Sequence, residues 1–109
     1  MLLMIDLDKV SDEIREELAT TLTSSAQLAK LAKDYYSFVR VRVAQNPCTS
    51  SSTLNSLSDD RDNIVREAVA SNINTTIDTL TKLAHDRDSY VRRAAEAVLF
   101  ARYNIEISV

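Results

Sequence analysis

The feature that most constrains the fold of this chain is an internal repeat with a period of 26 residues. Residues 49–74 align with the residues 26 positions before them and 26 positions after them. Six positions carry the same residue in all three copies: Thr23, Thr49 and Thr75; Leu28, Leu54 and Leu80; Leu31, Leu57 and Leu83; Asp34, Asp60 and Asp86; Val39, Val65 and Val91; and Arg40, Arg66 and Arg92. Repeats of this length indicate a solenoid, in which each unit buries its apolar side against its neighbours.

We therefore predict an all-α domain, a short α-solenoid of three two-helix repeats behind an N-terminal capping helix. The 109 residues suit one domain with one core. Residues 1–22 would be the cap, residues 23–48, 49–74 and 75–100 the repeats, and residues 101–109 a C-terminal tail. Within the cap, apolar residues every three or four positions predict an amphipathic helix over residues 6–21.

Each repeat is predicted to hold two helices. The first carries Leu-x-x-Leu and would begin at a threonine whose hydroxyl caps the helix: Thr23, Thr49 or Thr75. The second would begin near Asp62 or Asp88 and end at Asn46 or Asn72, in a left-handed conformation that Asn tolerates well. In the third repeat Val98 stands at the Asn position, so we expect one longer helix from about residue 88 to 102.

The composition argues against several kinds of chemistry. The chain has no glycine, which excludes the phosphate-binding loops of P-loop and dinucleotide-binding proteins. Cys48 has no second cysteine to pair with, and together with His85 it is too little for a structural zinc site. No run approaches the ~20 apolar residues of a membrane span. We predict no metal, no cofactor, no membrane contact and no enzymatic activity, in a cytoplasmic protein.

Charge is unevenly distributed along the chain, whose net charge is −3. Residues 1–22 hold six acidic and two basic side chains, whereas residues 23–109 hold ten acidic and eleven basic ones. The repeats are thus almost neutral. This balance argues against nucleic-acid binding through bulk positive charge, although a local row of arginines remains compatible with it.

The middle of the chain resembles a known repeat family. Residues 39–49, VRVRVAQNPCT, followed by Leu54, Leu57, Asp60 and Asp62, are similar to the unit of the leucine-rich repeat variant family. The resemblance covers about residues 23–100 and implies a HEAT- or armadillo-like α-solenoid of a largely bacterial family. Some members carry an iron–sulfur cluster, which Cys48 alone cannot hold.

The first repeat differs from the others at positions that suit a binding site. It has Tyr35 and Tyr36 where the second has Arg61 and Asp62, and Val41 and Arg42 where the second has Glu67 and Ala68. Tyrosine and arginine are enriched among the residues that dominate protein interfaces. We predict a partner site made by these four residues of the first repeat. The alternative is that Tyr35, Tyr36 and Val41 pack under the N-terminal helix.

One arginine per repeat also has two interpretations. Arg40, Arg66 and Arg92 can bond aspartates of their own or a neighbouring repeat, which would tie the units together. Alternatively they form a surface row that, with Arg42 and Arg93, binds the phosphates of a nucleic acid.

The leading functional hypothesis is a non-enzymatic module that binds another protein through a rigid helical surface. The alternatives are a nucleic-acid-binding solenoid and a small inhibitor or accessory protein of a phage or mobile element. The C-terminal tail could also pair two copies into a homodimer. The sequence does not identify the partner.

Overall fold

The computed structural model describes residues 6–107, and these residues form an all-helical structure without strands. A short 3₁₀ turn at Leu7–Lys9 precedes seven α-helices. In chain order they are α1 (Asp12–Thr21), α2 (Ser25–Leu31), α3 (Ser37–Gln45), α4 (Ser51–Leu57), α5 (Asn63–Ser71), α6 (Ile77–Leu83) and α7 (Ser89–Tyr103).

The odd-numbered helices follow one another through the structure. Helix α1 contacts α3, α3 contacts α5, and α5 contacts α7, while the shorter α2, α4 and α6 each contact the helix that follows them in the chain. The molecule measures 49 × 25 × 16 Å along its principal axes. The residues predicted to be apolar and internal are fully or almost fully buried in one cluster: Leu28, Leu31, Val39, Leu54, Leu57, Val65, Leu80, Leu83 and Val91.

The N-terminal helix is shorter than the sequence pattern predicted. Instead of one helix over residues 6–21, Val10 is extended and Ser11 caps α1 by accepting a hydrogen bond from the amide of Ile14. The apolar spacing continues across this break, so periodicity alone predicts a single helix. The predicted long closing helix is confirmed, because α7 runs from Ser89 to Tyr103 without a stop at Val98.

The predicted threonine caps are wrong by one residue. Ser24, Ser50 and Thr76 cap α2, α4 and α6. Thr49 and Thr75 are instead buried, and their hydroxyls donate to the carbonyl oxygens of Val43 and Val69 at 2.7 and 2.6 Å. These bonds join the start of α4 to the end of α3 and the start of α6 to the end of α5. The predicted aspartate caps are confirmed, since Asp62 caps α5 and Asp88 caps α7.

The asparagines at the ends of α3 and α5 are not left-handed. Asn46 and Asn72 are extended, with φ of −76° and −75°. The Asn46 amide donates to the carbonyl oxygens of Ala19 and Leu22 at 2.9 and 2.8 Å. These carbonyls lie at the end of α1, where the helix offers no further backbone amide to bond them. The asparagines therefore bond one helix end to the next, and within residues 6–107 only Asn104, after α7, is left-handed.

Candidate functional site

The two tyrosines predicted as partner contacts lie in the loop between α2 and α3. Tyr35 is 80% exposed and Tyr36 is 40% exposed. The loop is fixed by Asp34, whose carboxylate accepts the Tyr36 amide at 3.0 Å and the Arg15 Nε of α1 at 2.6 Å. The hydrogen bond between Arg15 and Asp34 is the main cause of the raised pKa of the Arg15 guanidinium. The loop is thus held by a charged pair and presents both rings toward solvent.

Phe38, the second residue of α3, joins the tyrosines in an aromatic cluster of three residues. The ring centroids of Tyr35 and Tyr36 are 5.3 Å apart at 89°, and those of Tyr36 and Phe38 are 5.1 Å apart at 28°. The guanidinium carbon of Arg15 lies 5.9 Å from the Tyr36 ring centroid, within range of a cation–π interaction. The central ring is thus supported on both sides, which favours a preformed surface.

A groove of about 570 Å³ runs from the aromatic cluster to the start of α5 in the next repeat. The three rings line one side, and Arg61, Asp62 and Asn63 line the other. The lining is more polar than apolar, with the aromatic rings as its apolar part, which suits an apolar side chain flanked by hydrogen-bonding groups. A second hollow of about 1020 Å³ lies beside Tyr35, between α2 and the segment that precedes α1.

Val41 and Arg42, the other two predicted contacts, are directed elsewhere. Val41 is half-buried against the hydrophobic core. Arg42 contacts α1, where its Nε lies 3.3 Å from a Glu16 carboxylate oxygen, and its Nη1 lies 3.1 Å from the Gln45 side-chain oxygen. The four residues therefore do not form one surface: the tyrosines are presented together, while Arg42 joins α3 to the N-terminal helix.

A row of exposed apolar residues escaped the sequence analysis. Phe38, Ile64 and Tyr90 are the second residues of α3, α5 and α7, and they are 36%, 58% and 64% exposed. They are 26 positions apart, so the repeat alignment could have revealed them. The pattern of leucines and valines identifies only the core side of each helix, so it does not reveal the exposed apolar residues on the other side.

The arginine of each of the first two repeats is buried and paired with the aspartate of the following repeat. Arg40 places Nε and Nη2 at 2.7 and 3.2 Å from the two oxygens of Asp60, and Arg66 binds Asp86 in the same way at 2.8 and 3.1 Å. Both arginines are less than a tenth exposed. Their charges are thus balanced inside the molecule, as the first of the two interpretations predicted.

The remaining arginines of the predicted nucleic-acid surface lie on α7. Arg93 is exposed, and Arg92 is half-buried with Nη1 2.8 Å from the carbonyl oxygen of Asp86. With Arg40 and Arg66 enclosed in ion pairs, the four arginines do not form a continuous basic surface.

The part of the chain that the structure describes contains no group of three or more His, Cys, Asp or Glu side chains arranged to hold a metal ion. Cys48 is half-buried. His85 is exposed, with its Nδ1 2.9 Å from the Thr81 carbonyl oxygen. No described helix combines the length and the apolar character needed to cross a membrane.

Comparison of the chain with models of protein families, with curated proteins and with solved structures yields no significant match.

Proposed function

We propose that the chain is a short α-solenoid, similar to leucine-rich repeat variant proteins, that binds another protein through its aromatic cluster and the adjoining groove. The observation that carries the proposal is a supported group of three rings that remains exposed: Tyr35, Tyr36 and Phe38. Isolated exposed apolar residues are ordinary, but a contiguous cluster beside a groove is typical of an interaction site.

The solenoid part of the proposal is supported by bonds that recur at the repeat spacing. Arg40 bonds Asp60 as Arg66 bonds Asp86, and Asn72 bonds the end of α3 as Asn46 bonds the end of α1. Each set joins one unit to the next. Units linked in this way form a rigid support, so a partner would bind at little cost in ordering the site.

The expected partner inserts an apolar or aromatic side chain between Phe38 and the polar side of the groove. Arg61, Asp62 and Asn63 supply both donors and acceptors there, so the partner would carry polar groups of either sign around the apolar anchor. No catalytic role is proposed, because the groove lacks a nucleophile beside a general base.

The decisive experiment is quantitative affinity capture from cells of the native host. The wild-type chain is compared with a triple variant, Tyr35→Ser, Tyr36→Ser and Phe38→Ser. Because buried aromatic anchors each contribute up to a few kcal/mol at interfaces, we expect the captured partner to fall at least about tenfold. A matched control, Phe100→Ser with Tyr103→Ser, removes exposed aromatic area on α7 and should leave capture unchanged. Equal capture by the triple variant would refute the site.

A nucleic-acid titration discriminates the main alternative. Binding of duplex or single-stranded DNA that weakens steeply with salt would favour an arginine surface. We expect no such binding, because Arg40 and Arg66 are enclosed in ion pairs with aspartates. No contact in the described structure favours the inhibitor or accessory-protein alternative over binding to a host protein.

A further inference from the structure

The two paired arginines, Arg40 and Arg66, bind their aspartates in the same way, and this arrangement of donors forms a binding site for a carboxylate. In Arg40 and Arg66 the Nε and Nη2 donors point forward to an aspartate of the next repeat. Nη1 points back to a carbonyl oxygen of the arginine's own repeat, Asp34 for Arg40 and Asp60 for Arg66. Two parallel donors on one edge of a guanidinium match the two oxygens of a carboxylate.

Arg92 has the same anchor but lacks the carboxylate. Its Nη1 donates to the Asp86 carbonyl oxygen at 2.8 Å, as the Nη1 of Arg66 does to that of Asp60 at 2.6 Å. Among residues 6–107, no acceptor bonds to its Nε or Nη2, and no carboxylate lies within ion-pair distance. Every fully buried side-chain nitrogen and oxygen in this range has a partner, so the two unused donors reach solvent.

The opposite end of the molecule carries the complementary group. Asp34, Asp60 and Asp86 each accept the backbone amide two residues later, at 3.0, 2.9 and 2.9 Å. Asp6 makes the same turn with the amide of Asp8 at 3.1 Å. Asp34, Asp60 and Asp86 each also bind an arginine side chain, whereas among the described residues Asp6 has only Lys9 within ion-pair range, at 3.9 Å, and Lys9 is 83% exposed.

We propose that Arg92 of one copy binds Asp6 of a second copy, so that the chains associate head to tail. The N-terminal region and helix α7 have opposite charge: residues 1–22 carry six acids and two bases, while α7 carries Arg92, Arg93 and Arg102 against Glu96. The contact would pair the same two groups as the arginine–aspartate bonds that join the repeats within one chain, although Asp6 lies 28 rather than 26 residues before Asp34 and so falls outside the repeat register. Because it uses different surfaces on the two copies, it leaves both outer ends open and permits further growth.

The first test is the mass of the wild-type chain as a function of concentration, measured by sedimentation equilibrium at low salt. We expect the average mass to rise past that of a dimer and to fall back toward the monomer as salt screens the ion pair. A wild-type chain that stays monomeric at the highest concentration reached would overturn the proposal.

Charge reversal at either end then tests the residues. Arg92→Glu and Asp6→Arg should each be monomeric when alone. Mixed together they should associate again, because Asp6 of the first variant meets Arg92 of the second, and the two reversed charges also attract each other at the remaining contact. Arg93→Gln, next to Arg92 and exposed, is the matched control and should still assemble, though more weakly than the wild type because α7 loses one positive charge. Undiminished assembly by either reversed variant alone would refute the pairing.

This inference does not depend on the proposed function. The Tyr35, Tyr36 and Phe38 triple variant should assemble as the wild type does, and Arg92→Glu should still capture the partner protein. Failure of one proposal therefore leaves a different pattern of results from failure of the other. Circular dichroism melting confirms that each variant is folded, and Asp6 is exposed, so Asp6→Arg places no charge inside the core.

Discussion

Replacement of Asn72 by alanine tests how much a side chain of one repeat stabilises the end of the repeat before it. The Asn72 amide donates to the carbonyl oxygens of Ala44 and Asn46 at 2.8 and 2.9 Å, and its oxygen accepts the Asn74 amide at 2.8 Å. Asn46 keeps a second donor in the Thr49 amide, whereas Ala44 has no further donor outside its helix. The substitution thus leaves one buried carbonyl without a donor and removes two other hydrogen bonds.

The expected loss follows from these three bonds. A stranded buried acceptor costs roughly 1–3 kcal/mol, and each further lost hydrogen bond costs about 0.5–1.5 kcal/mol. Asn72→Ala should therefore lower the free energy of unfolding by about 3 kcal/mol, a large part of the ~5–15 kcal/mol typical of a domain. In urea denaturation followed by circular dichroism, the midpoint should fall by roughly 1–2 M.

Asn74 provides the matched control. Its amide also donates to two carbonyl oxygens, that of Pro47 in the preceding repeat and that of Thr49 in its own, but Asn74 is exposed. Water can replace these bonds, so Asn74→Ala should cost about 1 kcal/mol or less. If the two variants lose the same stability, burial of the helix end is not what gives Asn72 its effect.

Two further predictions concern the core and the cap of α7. Leu57→Ala empties a buried position in the middle repeat and should cost about 2–5 kcal/mol in urea denaturation; an unchanged midpoint would contradict the shared core. Hydrogen bonds from the amides of Val91 and Tyr90 hold the pKa of Asp88 below its ordinary value of 3.8. Its folded pKa is therefore below its unfolded one, and the stability it adds is present above about pH 4 and lost as the pH falls further. The stability difference between the wild type and Asp88→Asn should shrink as the pH is lowered from about 5 to about 2, and a constant difference would refute the assignment.

The sequence predicted the features that depend on local spacing. The buried leucine and valine rows, the Asp62 and Asp88 caps and the long α7 follow from helical periodicity and from residues adjacent to the helices. Asn46, Asn72, Thr49 and Thr75 were assigned local roles because Asn and Thr commonly end or begin helices. Their side chains instead donate to backbone carbonyl oxygens six to 28 residues away, which a local pattern cannot show.

The candidate site could be predicted from the sequence only in part, again because some of its contacts join residues that are far apart in the chain. The exchange of Arg61 and Asp62 for Tyr35 and Tyr36 marked the loop of the first repeat as unusual. The direction of Arg42 depends on Glu16, which belongs to an N-terminal helix outside the repeat, so the repeat comparison could not reveal it. The exposed row of Phe38, Ile64 and Tyr90 was present in the alignment, but exposure is set by the packing of whole helices.

A double-mutant cycle on Arg66 and Asp86 tests most directly the claim that each repeat is bonded to the next. The pair is buried, with side chains 3% and 8% exposed, and its two hydrogen bonds are 2.8 and 3.1 Å long. Breaking such a pair from one side costs roughly 3–5 kcal/mol. In unfolding free energies of Arg66→Met, Asp86→Asn and the double variant, we expect a coupling of at least about 1.5 kcal/mol. A coupling near zero would mean that the two repeats are not joined through this pair.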